Sequence, residues 1–334
     1  MKKLISLGLI CALVFLPGTF FSFVKNGVRS LADNISKSNY TVLLCGYDDA
    51  AYNTDSIILA NFDSELKTVS FLQIPRDTYL DFSSGQNKIN GYIPERISSG
   101  VSLSDAMKEF TDELSYSLGI KIDGYMGYTM RAVSGAIDQL GGIDVNLPVS
   151  VTGTDLNGNT VKLKEGVSHL TGSEAVVFLR YRKGYALGDL SRLDAQKIFI
   201  SALADKLRDE MSLRRLAKIL FGNNDGVVTD LGLFDALGFS VKNLKAVKSV
   251  SLNFADMPGE HLMSSDNVSY FCLNKDASSE LLVHLPFYKI SVFDRDKRFL
   301  KKNDNSFAQS YYRVGVDYRI LRDDELDKLD FIIN

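Results

Sequence analysis

The sequence predicts a mixed α/β domain behind an N-terminal apolar segment. Three observations carry this. Between Tyr40 and Ile74, three short β-type runs are joined by tight polar connections. Beyond Leu103, stretches of helical period alternate with further strand-like runs. Ahead of both lies an uncharged run from Leu4 to Val24, preceded by Lys2 and Lys3.

The chain of 334 residues is 45% hydrophobic and 24% charged, enough for one large core with a small appendage. Its net charge of -3 excludes bulk attraction to a polyanion, and no nucleic-acid partner is expected. An anion site must therefore be a local arginine cluster. Three cysteines (Cys11, Cys45, Cys272) and three scattered histidines (His169, His261, His284) contain no CxxC or Cys/His cluster, so no zinc site is expected. Cys45 and Cys272 read better as two buried thiols than as a bridge, and the pairing stays open.

At ~1.5 Å per residue, Leu4 to Val24 would cross ~30 Å, one hydrocarbon thickness. Lys2 and Lys3 place the N-terminus in the cytoplasm and the rest outside, although Lys25 and Arg29 weigh against this. A cleaved signal peptide is the rival, but the run is longer than the usual apolar region of one. Residues 1–25 are thus expected to form a cytoplasmic tip and membrane anchor, and residues 26–38 a linker. In either reading the domain is exported.

Tyr40 to Cys45, Ile57 to Phe62 and Thr68 to Ile74 read as an antiparallel meander, stopped by Pro75. A meander brings Asp48, Asp55 and Arg76 to one sheet edge. Two carboxylates and a guanidinium there could hold a hard cation beside an anion, or be ordinary strand-end polarity. Ser104 to Leu118 has helical spacing, with Gly119 as a stop. Tyr125 to Leu140 is mixed with helical character, and Ile143 to Leu147 alternates as a strand. Ser150 to Asn159 reads as a turn region. Ala175 to Arg182 reads as a strand that puts Arg180 and Arg182 on one face. Asp189 or Ser191 caps a long helix from Leu193 to about Met211. On it Arg192, Gln196, Phe199 and Leu203 form one stripe, which either enters a pocket from the helix start or is partly solvated. Val227 to Phe239 suggests a short helix, and the charge runs after Ser291 suggest solvated faces.

Four local patterns fall in order: Gly46-Tyr47-Asp48 with Thr54-Asp55-Ser56; Ile74-Pro75-Arg76-Asp77-Thr78; Asn87-Lys88-Ile89-Asn90; and Leu179-Arg180-Tyr181-Arg182 with Gly188-Asp189, Arg192 and Gln196. Leu140-Gly141-Gly142-Ile143-Asp144 and Leu170-Thr171-Gly172-Ser173-Glu174 lie between them. This set resembles the LytR-CpsA-Psr family of cell-wall glycopolymer ligases, from Tyr40 to about Met211 and more weakly to Leu285. The resemblance implies an αβα sandwich around a mixed sheet, with an apolar pocket for a lipid, spanning residues 39–285. Residues 286–334 then form an extension of open role.

It also implies a chemistry. A glycan polymer, such as wall teichoic acid or capsule, would move from a polyprenyl pyrophosphate carrier to peptidoglycan through a phosphodiester bond, outside the membrane. Magnesium, or alternatively manganese, would bridge the pyrophosphate between Asp48 and Asp55. Arg76, Lys88, Arg180, Arg182, Arg192 and Gln196 would contact the pyrophosphate. Asp55, Arg76 and Arg192 would act in catalysis, with Asp189 as a supporting carboxylate. Asn53-Thr54-Asp55-Ser56 departs from the Arg-Ser-Asp-Thr often found there, and Gly91-Tyr92-Ile93-Pro94 departs from a smaller stretch.

Two rivals are weighed. Ser64-x-x-Lys67 and Ser265-Asp266-Asn267 match motifs of penicillin-binding enzymes, but no Lys-Thr-Gly follows and Ser64 falls in an expected hairpin turn. A non-catalytic lipid-binding sensor would need the pocket without the metal, and the Asp48/Asp55 pair argues against it.

Overall fold

The computed structural model describes residues 39–80, 88–182, 189–210, 226–231, 250–264, 267–289 and 320–328. The expected anchor and linker, residues 1–38, lie outside them. So do Asn87, Gly188, Ser265 and Asp266, and the side chain of Asp189.

The expected meander is present. Strands β1 (Asn39–Tyr47), β2 (Thr54–Asp63) and β3 (Thr68–Gln73) pair antiparallel in sequence order. They form the middle of a seven-stranded mixed sheet. β4 (Gly124–Tyr128) joins β1 in parallel, and β9 (Val227–Thr229) pairs antiparallel beyond it. On the other side β10 (Ser251–Asp256) runs parallel to β3. β13 (Ile320–Arg322) then closes that edge, so the sheet takes a strand from beyond residue 285.

Side chains alternate across β1. Val42 enters one core and Leu43 and Cys45 the other, which is why the run is apolar without a break. Helices cover both faces. One core takes in Ile137, Phe178 and Phe199 from α3 (Met130–Gln139), α4 (Gly172–Arg180) and α5 (Asp189–Glu210). The other takes in Ile93, Phe110 and Leu281 from α1 (Tyr92–Ser98), α2 (Leu103–Leu118) and α6 (Lys275–His284). Ser102 caps α2 by accepting the Asp105 N–H, and Gly119 ends it in the left-handed conformation at φ 65°. Three two-stranded sheets complete the described fold: β5 (Ile143–Leu147) with β8 (Gly166–Leu170), β6 (Val151–Thr154) with β7 (Thr160–Leu163), and β11 (Gly259–Met263) with β12 (Ser269–Leu273).

Four local expectations are corrected. The run Ala175–Arg182 is not a strand; it belongs to α4, which ends at Arg180 before extended Tyr181. Thr171 and Glu174 form a reciprocal capping box that starts the helix upstream of the apolar run. A short apolar run by itself does not distinguish the two states. Ser150–Asn159 is not all turn: β6 occupies Val151–Thr154, and the Asp155 carboxylate closes the turn on the N–H groups of Asn157 and Asn159. Tyr125–Tyr128 belongs to β4, and Val227–Thr229 is β9 instead of the start of a helix; residues 232–239 lie outside the described residues. Cys45 and Cys272 are both buried free thiols. Ser64 lies in the β2–β3 turn, away from any helix start.

Candidate functional site

The sheet gathers its chemistry at one pole. Asp48 follows β1, Asp55 opens β2, and Arg76 follows β3. The Asp48 carboxylate organises its own loop. One oxygen accepts the N–H groups of Ala50 (3.0 Å) and Ala51 (2.5 Å). The other accepts the Asn53 N–H (3.0 Å) and the Asn53 side-chain amide (3.1 Å). Partial burial by itself would raise this carboxyl, but these bonds outweigh it and hold the group below its usual range. Asn53, at the position where an arginine was expected, thus serves this loop.

Asp55 receives two arginines through different groups. Its Oδ1 accepts from Arg76 Nη1 at 2.5 Å, and its backbone carbonyl accepts from Arg192 Nη2 at 2.9 Å. Arg192 is only 4% exposed, a strong commitment for a guanidinium. It comes from the first turn of α5, and Gln196 follows one turn later. Gln196 Oε1 accepts from the Gln73 amide at 3.0 Å and faces the Ser56 hydroxyl at 3.5 Å. Both glutamines are buried.

Two adjoining cavities open here. The first is apolar, with about 1010 Å³ of empty space including its mouth. Leu44, Ile58, Phe71, Met126, Phe199 and Leu203 are among its walls, between the sheet and α3/α5. Tyr128 also lines it, and burial pushes its hydroxyl up to about 12, so the wall is uncharged. The second holds about 1060 Å³ and presents Asp48, Asp55, Arg180, Arg182, Arg192 and Gln196. Ser56, Met130, Leu179 and Gln196 line both, so the apolar space adjoins an arginine-rich one.

The structure therefore places six of the expected residues around one cavity. Arg76 joins through Asp55 and is not in the lining. Lys88 points elsewhere: its Nζ lies 3.0 Å from Asp77 and 5.4 Å from the centroid of the Tyr270 ring. The stripe Arg192, Gln196, Phe199, Leu203 does face the pocket, polar at the helix start and apolar beyond. Arg180 and Arg182 meet in the cavity because α4 ends between them, not by strand alternation. Gln73, which positions Gln196, was not singled out from sequence, although a glutamine ending the apolar strand Thr68–Gln73 was a signal. Arg131 and Asp49, 4.0 Å apart on the rim, were missed as well.

Among the described residues, no group of three or more His, Cys, Asp or Glu side chains gathers as a metal site. Asp55 suits a hard cation: among the described residues only Arg76 bonds to its carboxylate, through one oxygen. Asp48 fits less directly. Its four bonds match the acceptor capacity of a carboxylate, so one would have to be released for direct ligation.

Comparison with known proteins agrees with this architecture. The TagV crystal structure from Bacillus subtilis superposes with a TM-score of 0.58 at 24% identity, over 75% of this chain and 100% of that one. A structure of TagT bound to LIIa-WTA gives 0.57 at 25% identity, over 75% and 90%. In sequence, the chain is 26% identical to the polyisoprenyl-teichoic acid–peptidoglycan teichoic acid transferase TagV of Bacillus subtilis, covering 74% of this chain. It is 30% identical to the TagU transferase of Oceanobacillus iheyensis, covering 59% of this chain. These matches span 64% and 60% of the relatives' own lengths. The LytR_cpsA_psr family model matches residues 24–285, most of the chain and all of the site just described, so this protein belongs to the LytR_cpsA_psr family.

Proposed function

We propose that this protein is a glycopolymer ligase that transfers a glycan from a polyprenyl pyrophosphate carrier to peptidoglycan, forming a phosphodiester. One observation carries the reading: an apolar pocket that adjoins a cavity bearing Arg180, Arg182 and Arg192. A polyprenyl pyrophosphate has the same two parts, a long apolar chain and a compact polyanion. The names of the relatives, which are teichoic acid transferases, support the same substrate class and favour teichoic acid over capsule.

Phosphoryl transfer needs positioning and charge stabilisation more than covalent help from the protein. The planar guanidinium groups match phosphate oxygens in pairs, and Arg192, buried against Asp55, is held ready for them. An acceptor hydroxyl oxygen attacks the glycan-bearing phosphorus, its proton passes to Asp55, and the bond to the distal phosphate breaks. Polyprenyl monophosphate leaves. Asp55 would hold a magnesium ion, with manganese as a substitute and Asp48 reached once its loop yields a bond, and that ion would supply charge neutralisation. The pyrophosphate-contacting role moves from Lys88 to the arginines and Gln196, and Asp189 is kept as a supporting carboxylate at the start of α5. Slow hydrolysis of the carrier without an acceptor follows if water takes the acceptor's place. We place the domain outside the cytoplasmic membrane, held by the apolar segment 4–24.

The test uses the full chain in detergent micelles with a polyprenyl pyrophosphate-linked saccharide, magnesium and a peptidoglycan acceptor. Release of polyprenyl monophosphate is expected from wild type. It should fall by about 100-fold or more in Arg192→Ala, the scale of losing a preorganised charge donor. Asp55→Asn should keep carrier binding and lose transfer. Carrier binding without metal-dependent turnover in wild type would replace this reading with a non-catalytic sensor.

A further inference from the structure

Asp55 stands between two different surroundings. Its carbonyl takes Arg192, on the side of the arginine-rich cavity, and its carboxylate takes Arg76. In an in-line displacement the entering and leaving oxygens lie on opposite sides of the phosphorus. A carrier whose leaving phosphate sits among Arg180, Arg182 and Arg192 leaves the Arg76 side of Asp55 as a route for the acceptor.

That side carries a built surface outside the two cavities. Arg76 Nε lies 3.7 Å from one Asp77 oxygen, and Lys88 Nζ lies 3.0 Å from the other. Lys88 is also 5.4 Å from the Tyr270 ring centroid, and Tyr270 meets Tyr79 edge-on at 5.4 Å and 76°. Both rings are half-buried. Leu262 packs in the same small cluster, as the cross-strand partner of Tyr270. The backbone is locked as well: Phe271 N–H donates to the Asp77 carbonyl and Tyr79 N–H to the Phe271 carbonyl, each at 2.8 Å. The β11–β12 hairpin thus brings Tyr270 against Tyr79, and Lys88 and Asp77 link this aromatic pair to the arginine that touches Asp55.

We propose that Tyr79 and Tyr270, with Lys88 and Asp77, form the acceptor subsite, which takes pyranose rings of the acceptor glycan. Such partly buried tyrosine rings offer apolar surface with a polar tip, suited to the C–H face of a sugar. The flanking ammonium and carboxylate supply a donor and an acceptor for its hydroxyls. Asp77 offsets the Lys88 charge, which suits a neutral sugar. This inference rests on the ligase reading above.

The probe is a β-1,4-linked tetrasaccharide of N-acetylglucosamine and N-acetylmuramic acid, titrated into the full chain in micelles without donor and followed by saturation-transfer NMR and calorimetry. Wild type should bind it. Tyr270→Ala should weaken binding by about tenfold, the size of one aromatic stack, and Tyr270→Phe should keep most of it. Should the alanine variant fail to fold, as judged by circular dichroism, Tyr270→Leu carries the same expectation. No binding by wild type, or equal binding by a folded ring-less variant, overturns the subsite. Turnover assays separate the two readings. Tetrasaccharide binding without any transfer overturns the ligase reading alone, whereas transfer with an unchanged acceptor KM in the ring-less variant overturns the subsite alone.

Discussion

His169 is bonded at both ring nitrogens. Nδ1 lies 2.7 Å from the Asp144 carboxylate, and Nε2 lies 3.0 Å from the Gly141 carbonyl. Two acceptors ask for two N–H donors, which only the imidazolium supplies. The bond to Asp144 is the main cause of a raised pKa, with the Gly141 carbonyl helping and Lys206 opposing. Gly142 makes room for the ring: at φ +89° it is left-handed, and a Cβ there would lie 2.2 Å from Nε2. A raised folded-state pKa means the bonded form stabilises the fold fully below the ordinary histidine value. That contribution is lost as pH rises through the folded value. An NMR titration of His169 should therefore have its midpoint above 6.5, and amide protection of the Gly141–Gly142 turn should weaken as pH rises through that midpoint. A midpoint at or below 6.5 would refute the doubly bonded imidazolium. From sequence, His169 was one of three scattered histidines. Its partner Asp144 sits opposite it only because β5 and β8 pair in that register.

At the scale of the element, α5 does most to shape the site. Two adjacent residues tie it to the sheet in different ways. Gln196 is held by Gln73 of β3, while Lys197, 2% exposed, reaches Asp194 at 2.7 Å and Asp256 at the end of β10 at 2.5 Å. Burial by itself would lower the Lys197 pKa, but Asp256 and Asp194 outweigh it, so the ammonium stays charged. These ties set the rotation that points Arg192 at Asp55 one turn earlier. Removing one partner of a buried pair typically costs about 3–5 kcal/mol, and Lys197→Met is expected to lower the unfolding free energy by that amount in denaturant titrations. A loss under about 1 kcal/mol would mean the pair is solvated and fixes nothing. The polar-to-apolar stripe on α5 was legible in the sequence, since its four- and three-residue steps need only a helix. The helix α4 was not legible, because Val176, Val177 and Phe178 suit a strand as well and only the capping box upstream decides.

At the scale of the molecule, the sheet depends on the far end of the chain. β13 pairs with β10 at the edge, and Leu321 and Leu326 are buried in the core behind α5. Ending the chain after Arg319 would uncover the β10 edge, which also carries Asp256. Each buried leucine contributes about 1.5–3 kcal/mol, so losing both should lower stability by about 3–6 kcal/mol. Chemical denaturation of the truncated chain checks this, and an unchanged midpoint would show that residues 320–328 do not belong to the sheet.

The meander, the pole at which Asp48, Asp55 and Arg76 collect, and the amphipathic face of α5 are all legible in the order of residues along the chain. These follow from local periodicity and short connections, which leave the chain few alternatives. It also carried the family resemblance in the order of its motifs. What the polar residues touch came from the packing of the fold. It joined an apolar cavity to an arginine-lined one, spent the Asp48 carboxylate on its own loop, and turned Lys88 away to Asp77 and Tyr270. Those outcomes depend on side chains from strands and helices far apart in sequence, whose meeting is set by sheet order and packing, and no local pattern encodes that.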